Sequence, residues 1–360
     1  MRVKNKRTAV KIITGLAVSF IMLLVFLAAV PAADSSPVPV AMAAEEPADK
    51  VIVFILDNIS FKDLDDNRLI NIQHIINSGN VGLMNARVKS LTKTNRESSF
   101  LTIGIGAGVY VPPQNLEIIK GTQRGMISAL HIANAIELQK LVEKEQPNYS
   151  FGRIGDVAGE KGLTISLVGN ADTDQQAGEA LLMAVDSQGR ITGNTSRELL
   201  QTDPDFPWGH STDNKKLLTA ALEAVKSNDI TFIEFGDTAR IGAAAAKLSA
   251  SGEDLGRWKE KALDKADSFL GDLLKEMDSQ RFILMVITPS PFPGAKFSGS
   301  AALTPMVIYD PSESPGLLTS TTTRRVGLIS NIDIGPTIFG ALGIQTESLG
   351  FLGSEIKNMP

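Results

Sequence analysis

Two aspartates follow apolar runs of the kind that form buried strands, and their carboxylates could share a cation. Asp57 comes directly after residues 51–56, and Asp237 comes one glycine after residues 230–235. In open α/β sheets ligands bind beyond the carboxyl ends of the strands, so both carboxylates would lie at one edge. Two neighbouring carboxylates are costly unless a cation lies between them, which predicts a metal site. Alternatively, each aspartate caps the helix or turn that follows its strand.

The elements that must position these aspartates alternate between strand and helix. Short continuous apolar runs are typical of strands buried on both faces, and longer stretches with helical spacing are typical of the helices that cover them. The predicted strands are 51–56, 81–88, 163–168, 181–185, 230–235, 282–287 and 306–309, and the predicted helices are 69–78, 126–145, 150–161, 214–227, 252–278 and 336–342. This alternation predicts an α/β fold with a mostly parallel central sheet and helices on both faces.

The first thirty residues predict export. Five basic residues within positions 2–11 precede the apolar run 12–30, and no acidic residue interrupts them. At about 1.5 Å rise per residue, this run nearly spans a hydrocarbon core of about 30 Å. The basic flank keeps the N-terminus in the cytoplasm and sends the following residues across the membrane. The helix either remains as a membrane anchor or is removed at a small-x-small site such as 41–43, so the protein is extracytoplasmic in both cases.

Composition limits the domain organisation and the partners. Residues 1–30 are the signal or anchor helix, residues 31–49 form a linker rich in Pro and Ala, 50–345 form one α/β domain, and 346–360 form a C-terminal tail. The chain has no cysteine, so disulfides cannot stabilise it. The formal net charge is −5 and no basic stripe follows the leader, which excludes nucleic acid as a partner.

Four segments, in the same order, resemble the alkaline phosphatase superfamily, which includes sulfatases, phosphodiesterases and cofactor-independent phosphoglycerate mutases. They are the opening strand with its aspartate at 51–57, a nucleophile-like segment at 94–104, a helix at 262–274 and a closing segment at 325–338. The nucleophile-like segment also resembles that of membrane-associated bacterial members. The resemblance implies an alkaline-phosphatase-like fold, in which two cations, usually zinc or manganese, activate a serine or threonine oxygen.

The resemblance also assigns roles to individual residues. It places Asp57 and Asp237 at two metal-ligand positions and Thr94 at the nucleophile position. An alternative alignment with the mutases puts Arg96 at the nucleophile position instead. A reduced site could still hold one divalent cation, zinc or manganese, between Asp57, Asp237 and Thr94.

Most of the other ligands that the resemblance implies are missing from this sequence. Ile241 stands where a histidine is expected, residues 288–291 stand where an Asp-His pair is expected, and Thr304 stands where a further histidine is expected. The three histidines of the chain, none of them at a ligand position, are His74, His131 and His210. A two-metal site built on this sequence would therefore lack most of its ligands.

If no metal is bound, the two aspartates still need compensating charge. Arg96 and Arg240 could supply that charge, and both are also candidate anion-binding residues. The first functional hypothesis is a catalytically degenerate protein without a cofactor, tethered to the membrane by its N-terminal helix, that binds an anionic small molecule, a cell-envelope component or a partner protein. The alternative is a metal-dependent phosphoester or sulfoester hydrolase or phosphotransferase with the reduced site.

Three further features have both a functional and a structural explanation. The glycines within 104–108 could cradle a phosphate, but their spacing favours tight packing. His210, with Trp208 beside it, could line a binding loop, but a hydrogen-bonded surface histidine is favoured. Asp333 precedes a predicted helix and is expected to act as an N-terminal cap.

Overall fold

The computed structural model describes residues 47–90, 93–277, 280–293 and 303–359. The predicted leader 1–30 and most of the linker lie outside these residues, so their predictions remain predictions. In the described part of the chain, no helix is both long enough and apolar enough to cross a bilayer. Residues 46–360 form a compact unit that contains the whole sheet and its hydrophobic clusters. This unit therefore has its own hydrophobic core, as a domain that can fold by itself does.

Fourteen strands and ten α-helices build this part of the chain. The strands are β1 (Lys50–Ile55), β2 (Asn80–Asn85), β3 (Ile118–Arg124), β4 (Ile127–Ile132), β5 (Ile165–Gly169), β6 (Arg190–Asn194), β7 (Leu200–Thr202), β8 (His210–Thr212), β9 (Ile230–Glu234), β10 (Phe282–Ile287), β11 (Leu303–Tyr309), β12 (Gly316–Ser320), β13 (Leu328–Ser330) and β14 (Ile356–Met359). The helices are α1 (Phe61–Leu64), α2 (Ile70–Ser78), α3 (Arg96–Ile105), α4 (Ala135–Glu145), α5 (Arg153–Glu160), α6 (Leu181–Ala184), α7 (Asn214–Ser227), α8 (Gly236–Lys247), α9 (Gly252–Met277) and α10 (Ile334–Ala341).

One large sheet runs through the molecule in the order β14-β12-β2-β11-β10-β1-β9-β5-β6-β4-β3, and β13 pairs with β2. The five strands β10, β1, β9, β5 and β6 at its centre are parallel to one another. Antiparallel strands flank them on both sides. The predicted α/β class and mostly parallel central sheet are confirmed. The predicted tail contributes β14, which is one edge of the sheet.

Strand β1 shows why the centre of the sheet is apolar throughout. Val51, Val53 and Ile55 point into one hydrophobic cluster, which α3, α5 and α10 cover. Ile52 and Phe54 point into the cluster on the opposite face, beneath α2, α7 and α9. Because alternate side chains are buried on opposite faces, the run has no polar position until the strand ends at the site.

Two predicted elements are wrong for identifiable reasons. The strand predicted at 181–185 is the short helix α6, because a brief apolar run fits a buried helix as well as a strand. The helix predicted at 126–145 holds only in its second half, as α4. Its first half is β4, in which Leu130 and Ile132 are buried while Ala129 and His131 are exposed. This alternation is the signature of a strand with one covered face.

Candidate functional site

A single guanidinium lies among three carboxylates at the carboxyl end of the central strands. Arg96 Nε donates to Asp57 Oδ2 at 2.9 Å, and Nη1 donates to Glu179 Oε2 at 2.7 Å. Its Nη2 donates to Glu234 Oε1. The guanidinium carbon also lies 4.7 Å from the centre of the Phe100 ring. Each guanidinium nitrogen of Arg96 therefore donates to an acidic side chain. Arg96, Asp57, Glu179 and Glu234 are called the Arg96 cluster below.

The central elements of the fold bring this cluster together. Asp57 follows β1 and Glu234 ends β9, which pairs with β1 so that Ile55 lies opposite Glu234. Arg96 is the first residue of α3, whose N-cap Asn95 accepts from the backbone of Ser98. Two adjacent parallel strands and a helix N-terminus thus converge on one point.

Burial dominates the electrostatics of the Arg96 cluster. Burial raises the pKa of Asp57 and of Glu234, and the Arg96 guanidinium offsets this only in part. Burial by itself would lower the pKa of Arg96, but the three surrounding carboxylates outweigh it and the pKa is raised. Arg96 therefore stays charged, while the buried carboxyl groups keep their protons to a higher pH than usual.

The N-terminus of α3, a place where anions commonly bind, is occupied by the protein's own carboxylate. Glu97 lies in the first turn of α3 and is buried, and its own backbone N–H and that of Gln114 act to lower its pKa. Burial, the largest effect, raises the pKa of Glu97. An incoming phosphate would have to displace this carboxylate as well as those bound to Arg96.

A second buried ion pair lies on the neighbouring helix α8. Arg240 and Asp237 are both fully buried, and Arg240 Nη2 donates to Asp237 Oδ1. The same oxygen accepts from the backbone N–H of Thr212 at 2.7 Å, and Lys265 Nζ lies 3.4 Å from Oδ2. Burial acts to raise the pKa of Asp237, but the two cations outweigh it and hold the pKa below its usual value. Burial lowers the pKa of Lys265.

The predicted charge compensation is present: Arg96 pairs with Asp57, and Arg240 pairs with Asp237. The metal-site prediction requires the two aspartates to lie in one cluster, and they lie in separate ones. Asp237 lies in the first turn of α8 rather than at the end of a strand, and the acidic residue that joins Asp57 is Glu234. Anion binding by Arg96 or Arg240 would require an anion to replace the acceptors that each already has.

The positions where the resemblance implies further metal ligands are filled by residues with other roles. Ile241 is buried in an apolar cluster with Phe206 and Ala262. Thr288 Oγ1 donates to the Leu56 carbonyl at 2.9 Å, and Thr304 is buried in β11. Across residues 47–90, 93–277, 280–293 and 303–359, no group of three or more His, Asp or Glu side chains is arranged to hold a metal ion. The residues present therefore do not fit the family's two-cation centre.

Two buried hydroxyls, those of Thr94 and Ser290, have no hydrogen-bond partner within the described residues. Thr94, the candidate nucleophile, lies just before α3, and its Oγ1 is buried. Ser290 donates its backbone N–H to Asp57 Oδ1 at 2.6 Å, while its own Oγ is buried and unpartnered. Within the described residues, no side chain that could act as a base accepts a hydrogen bond from the Thr94 hydroxyl.

Sequence reasoning missed Glu179 and Glu234. Glu234 carries a visible signal, because it is the single charged residue in the otherwise apolar run 230–235. Glu179 carries none: it lies in a loop, 83 positions from Arg96, and only the tertiary fold brings it close.

The three remaining features have structural roles. A Cβ added to Gly104 would lie 2.4 Å from the Leu182 carbonyl oxygen, so the glycine allows α3 to pack closely against α6. The His210 ring nitrogens lie 2.9 and 3.0 Å from backbone carbonyl oxygens. Asp333 accepts from the backbone N–H of Ser330 in a capping box. Tight packing and a hydrogen-bonded histidine are the roles that were favoured. Asp333 differs from its prediction, because its side chain makes no cap bond to α10 and instead completes the capping box of the short 3-10 helix Asn331–Asp333.

Known proteins share this fold with little sequence identity. No protein-family model matches the chain, and no curated protein matches it. The lipoteichoic acid synthase LtaP from Listeria monocytogenes superposes with a TM-score of 0.51 and 12% identity, over 85% of this chain and 75% of that chain. A variant of the alkaline phosphatase from the Antarctic bacterium TAB5, with Mg bound, gives 0.50 and 11%, over 83% of this chain and 99% of that chain. The chain therefore has the fold of the alkaline phosphatase superfamily, as the resemblance implies.

Proposed function

We propose that this chain is a non-catalytic protein of the bacterial envelope that lies outside the cytoplasmic membrane and binds an anionic envelope component or a partner protein. The observation that carries the proposal is the Arg96 cluster. A guanidinium provides the positive charge that the carboxylates at this edge of the sheet need, and it is attached covalently to the chain. A protein with such a cluster requires no divalent cation there, and we propose that it has no cofactor.

The identities of the neighbouring residues support a loss of catalysis. Arg96 stands at one of the two candidate nucleophile positions, and a guanidinium is not a nucleophile. At the other position, the Thr94 oxygen has no hydrogen-bond partner within the described residues that could activate it. Charge that develops on a reacting phosphoryl group would find three carboxylates around the nearest cation, which opposes the reaction.

The extracytoplasmic location rests on the basic leader and the apolar run 12–30. LtaP, which shares the fold, is by its name a lipoteichoic acid synthase, and this supports a role in the envelope.

A second candidate function is a metal-dependent phosphoester or sulfoester hydrolase or phosphotransferase with a reduced site. Its support is that both superposed proteins are enzymes and that one of them holds Mg. This candidate needs Asp57, Asp237 and Thr94 around one cation. The geometry opposes it, because Asp57 and Asp237 each pair with an arginine in separate clusters.

A phosphoester assay separates the two candidates. The protein is purified and given a generic aryl phosphate with zinc, manganese or magnesium in turn, alongside an Asp57→Ala variant. The proposal predicts turnover at the rate of the protein-free control in every condition. Metal-dependent turnover that disappears in Asp57→Ala would establish the hydrolase instead.

A further inference from the structure

One edge of the large sheet carries apolar and cationic side chains next to each other on the surface. The apolar members are Leu317, Val326 and Met359, whose exposed fractions are 45%, 54% and 47%. The cationic members, all exposed, are Arg324, Arg325 and Lys357. These six residues are called the edge patch. Large apolar side chains with this exposure are unusual when they cluster, and a cluster rimmed by charge marks an interaction surface.

Strand pairing fixes the position of the patch. Leu317 lies opposite Met359, and Thr319 lies opposite Lys357 in the antiparallel pair β12–β14. Because alternate residues of a strand share a face, Leu317, Met359 and Lys357 are on the same side of the sheet edge.

The loop between β12 and β13 adds the other members. Gly327, which follows Val326, donates its backbone N–H to the Leu318 carbonyl at 2.8 Å, and Arg324 donates its backbone N–H to Ser320 at 2.9 Å. Val326 and the two arginines therefore stand beside β12.

The cations of the edge patch are available for binding, in contrast to those of the Arg96 and Arg240 sites. No acidic side chain within the described residues pairs with Arg324, Arg325 or Lys357. Arg324 also has a φ of 56°, one of three non-glycine residues with a left-handed backbone in this part of the chain. Such a conformation is strained for arginine and is retained mainly where the position serves a function.

We propose that the edge patch docks on an anionic lipid surface, with Leu317, Val326 and Met359 at the boundary between headgroups and acyl chains and the three cations against lipid phosphates. Charge complementarity selects this partner, since unpaired cations flank apolar side chains as they do on proteins that lie in a bilayer interface. This inference rests on the proposed function, because it identifies the site on the protein that binds the anionic envelope component and gives the component's chemical class, an anionic lipid. It does not use the N-terminal segment.

Vesicle sedimentation of residues 46–360 tests the inference without the leader. Vesicles of phosphatidylglycerol with phosphatidylcholine are compared with phosphatidylcholine alone. Each basic residue near an anionic bilayer contributes about fivefold to partitioning, so the triple variant Arg324→Gln, Arg325→Gln and Lys357→Gln should bind about a hundredfold more weakly. Val326→Ser should weaken binding by a smaller factor, and added salt should weaken wild-type binding.

A matched control removes the same charge away from both edges of the sheet. It combines Lys161→Gln, Lys215→Gln and Lys226→Gln, three exposed lysines on or next to α5 and α7, helices on which no large apolar side chain is exposed, and it should bind as the wild type does. Far-UV circular dichroism and thermal unfolding establish that all variants fold.

Several outcomes would overturn the inference. They are equal binding by wild type and the edge-patch variant, loss of binding in the control variant, no preference for phosphatidylglycerol, and full competition by free glycerol phosphate in place of a bilayer. None of these changes the phosphoester assay, so failure of the edge patch is distinguishable from failure of the non-catalytic proposal.

Discussion

Replacing Arg96 with alanine should destabilise the fold far more than a typical surface substitution. The change leaves three carboxylates at the carboxyl end of the central strands without their cation, and Asp57 and Glu234 have side chains only 1% and 3% exposed. Removing one partner of a buried ion pair typically costs about 3–5 kcal/mol, because the remaining charge is buried without compensation. We expect a loss in this range at neutral pH.

Arg68 provides a matched control, because it also contacts three carboxylates. Its partners are Asp66, Glu260 and Asp264, but its side chain is 50% exposed. Exposed ion pairs contribute about 0–1 kcal/mol, so Arg68→Ala should change the unfolding free energy by no more than that. Urea unfolding followed by tryptophan fluorescence, with Trp208 and Trp258 as the probes, measures both variants.

The pH dependence of the Arg96→Ala defect is a second readout of the same prediction. Without the guanidinium, the folded-state pKa values of Asp57 and Glu234 should rise further above their usual values of 3.8 and 4.5. The defect should be nearly absent below those values, where both states are protonated, and should grow as the pH rises through the folded-state pKa. Equal losses for Arg96→Ala and Arg68→Ala, or a defect independent of pH, would refute the reasoning.

Three other predictions follow from the same contacts. Millimolar Mn²⁺ should raise the free energy of unfolding of Arg96→Ala, by about 2.7 kcal/mol at a hundred times the Kd, and should leave that of wild type unchanged. A denaturation titration with and without the metal checks this. Asp237→Asn should lower the free energy of unfolding by about 3–5 kcal/mol at neutral pH, because it leaves Arg240 without its ion-pair partner. Since the pKa of Asp237 in the folded state is below 3.8, the difference between the variant and wild type should shrink only in acid. Urea unfolding at several pH values measures this difference. Gly104→Ala should cost about 1–3 kcal/mol by urea unfolding, because its Cβ would clash with Leu182.

Sequence patterns predicted the elements that are long or strongly periodic. Helix α7 agrees with its prediction at both ends, because Asp213 caps it and the apolar spacing is regular. The central strands β1, β9 and β10 also agree to within a residue. Elements without such a pattern were missed or misassigned, including α6 and the exposed edge strand β3. Short apolar runs carry too little periodicity to distinguish a strand from a buried helix.

The sequence allowed the charged residues of the candidate site to be predicted in part, but not the way in which they are arranged. The argument that buried carboxylates need a counterion named Arg96 and Arg240 as the candidate cations, and in the structure Arg96 pairs with Asp57 and Arg240 pairs with Asp237. It could not determine that Glu179 and Glu234 complete the Arg96 cluster, because those contacts cross 83 and 138 positions of the chain. Nor could it place Asp237 on a helix, since α8 follows β9 with no breaker between them.

The central claim is that the Arg96 guanidinium takes the place of a metal at this site. Its most direct test is the metal content of the wild-type protein after equilibration with zinc and manganese and removal of free ions, measured by inductively coupled plasma mass spectrometry. We predict well below one ion per chain for wild type and more for Arg96→Ala. One or more ions per wild-type chain, lost in Asp57→Ala, would contradict the claim.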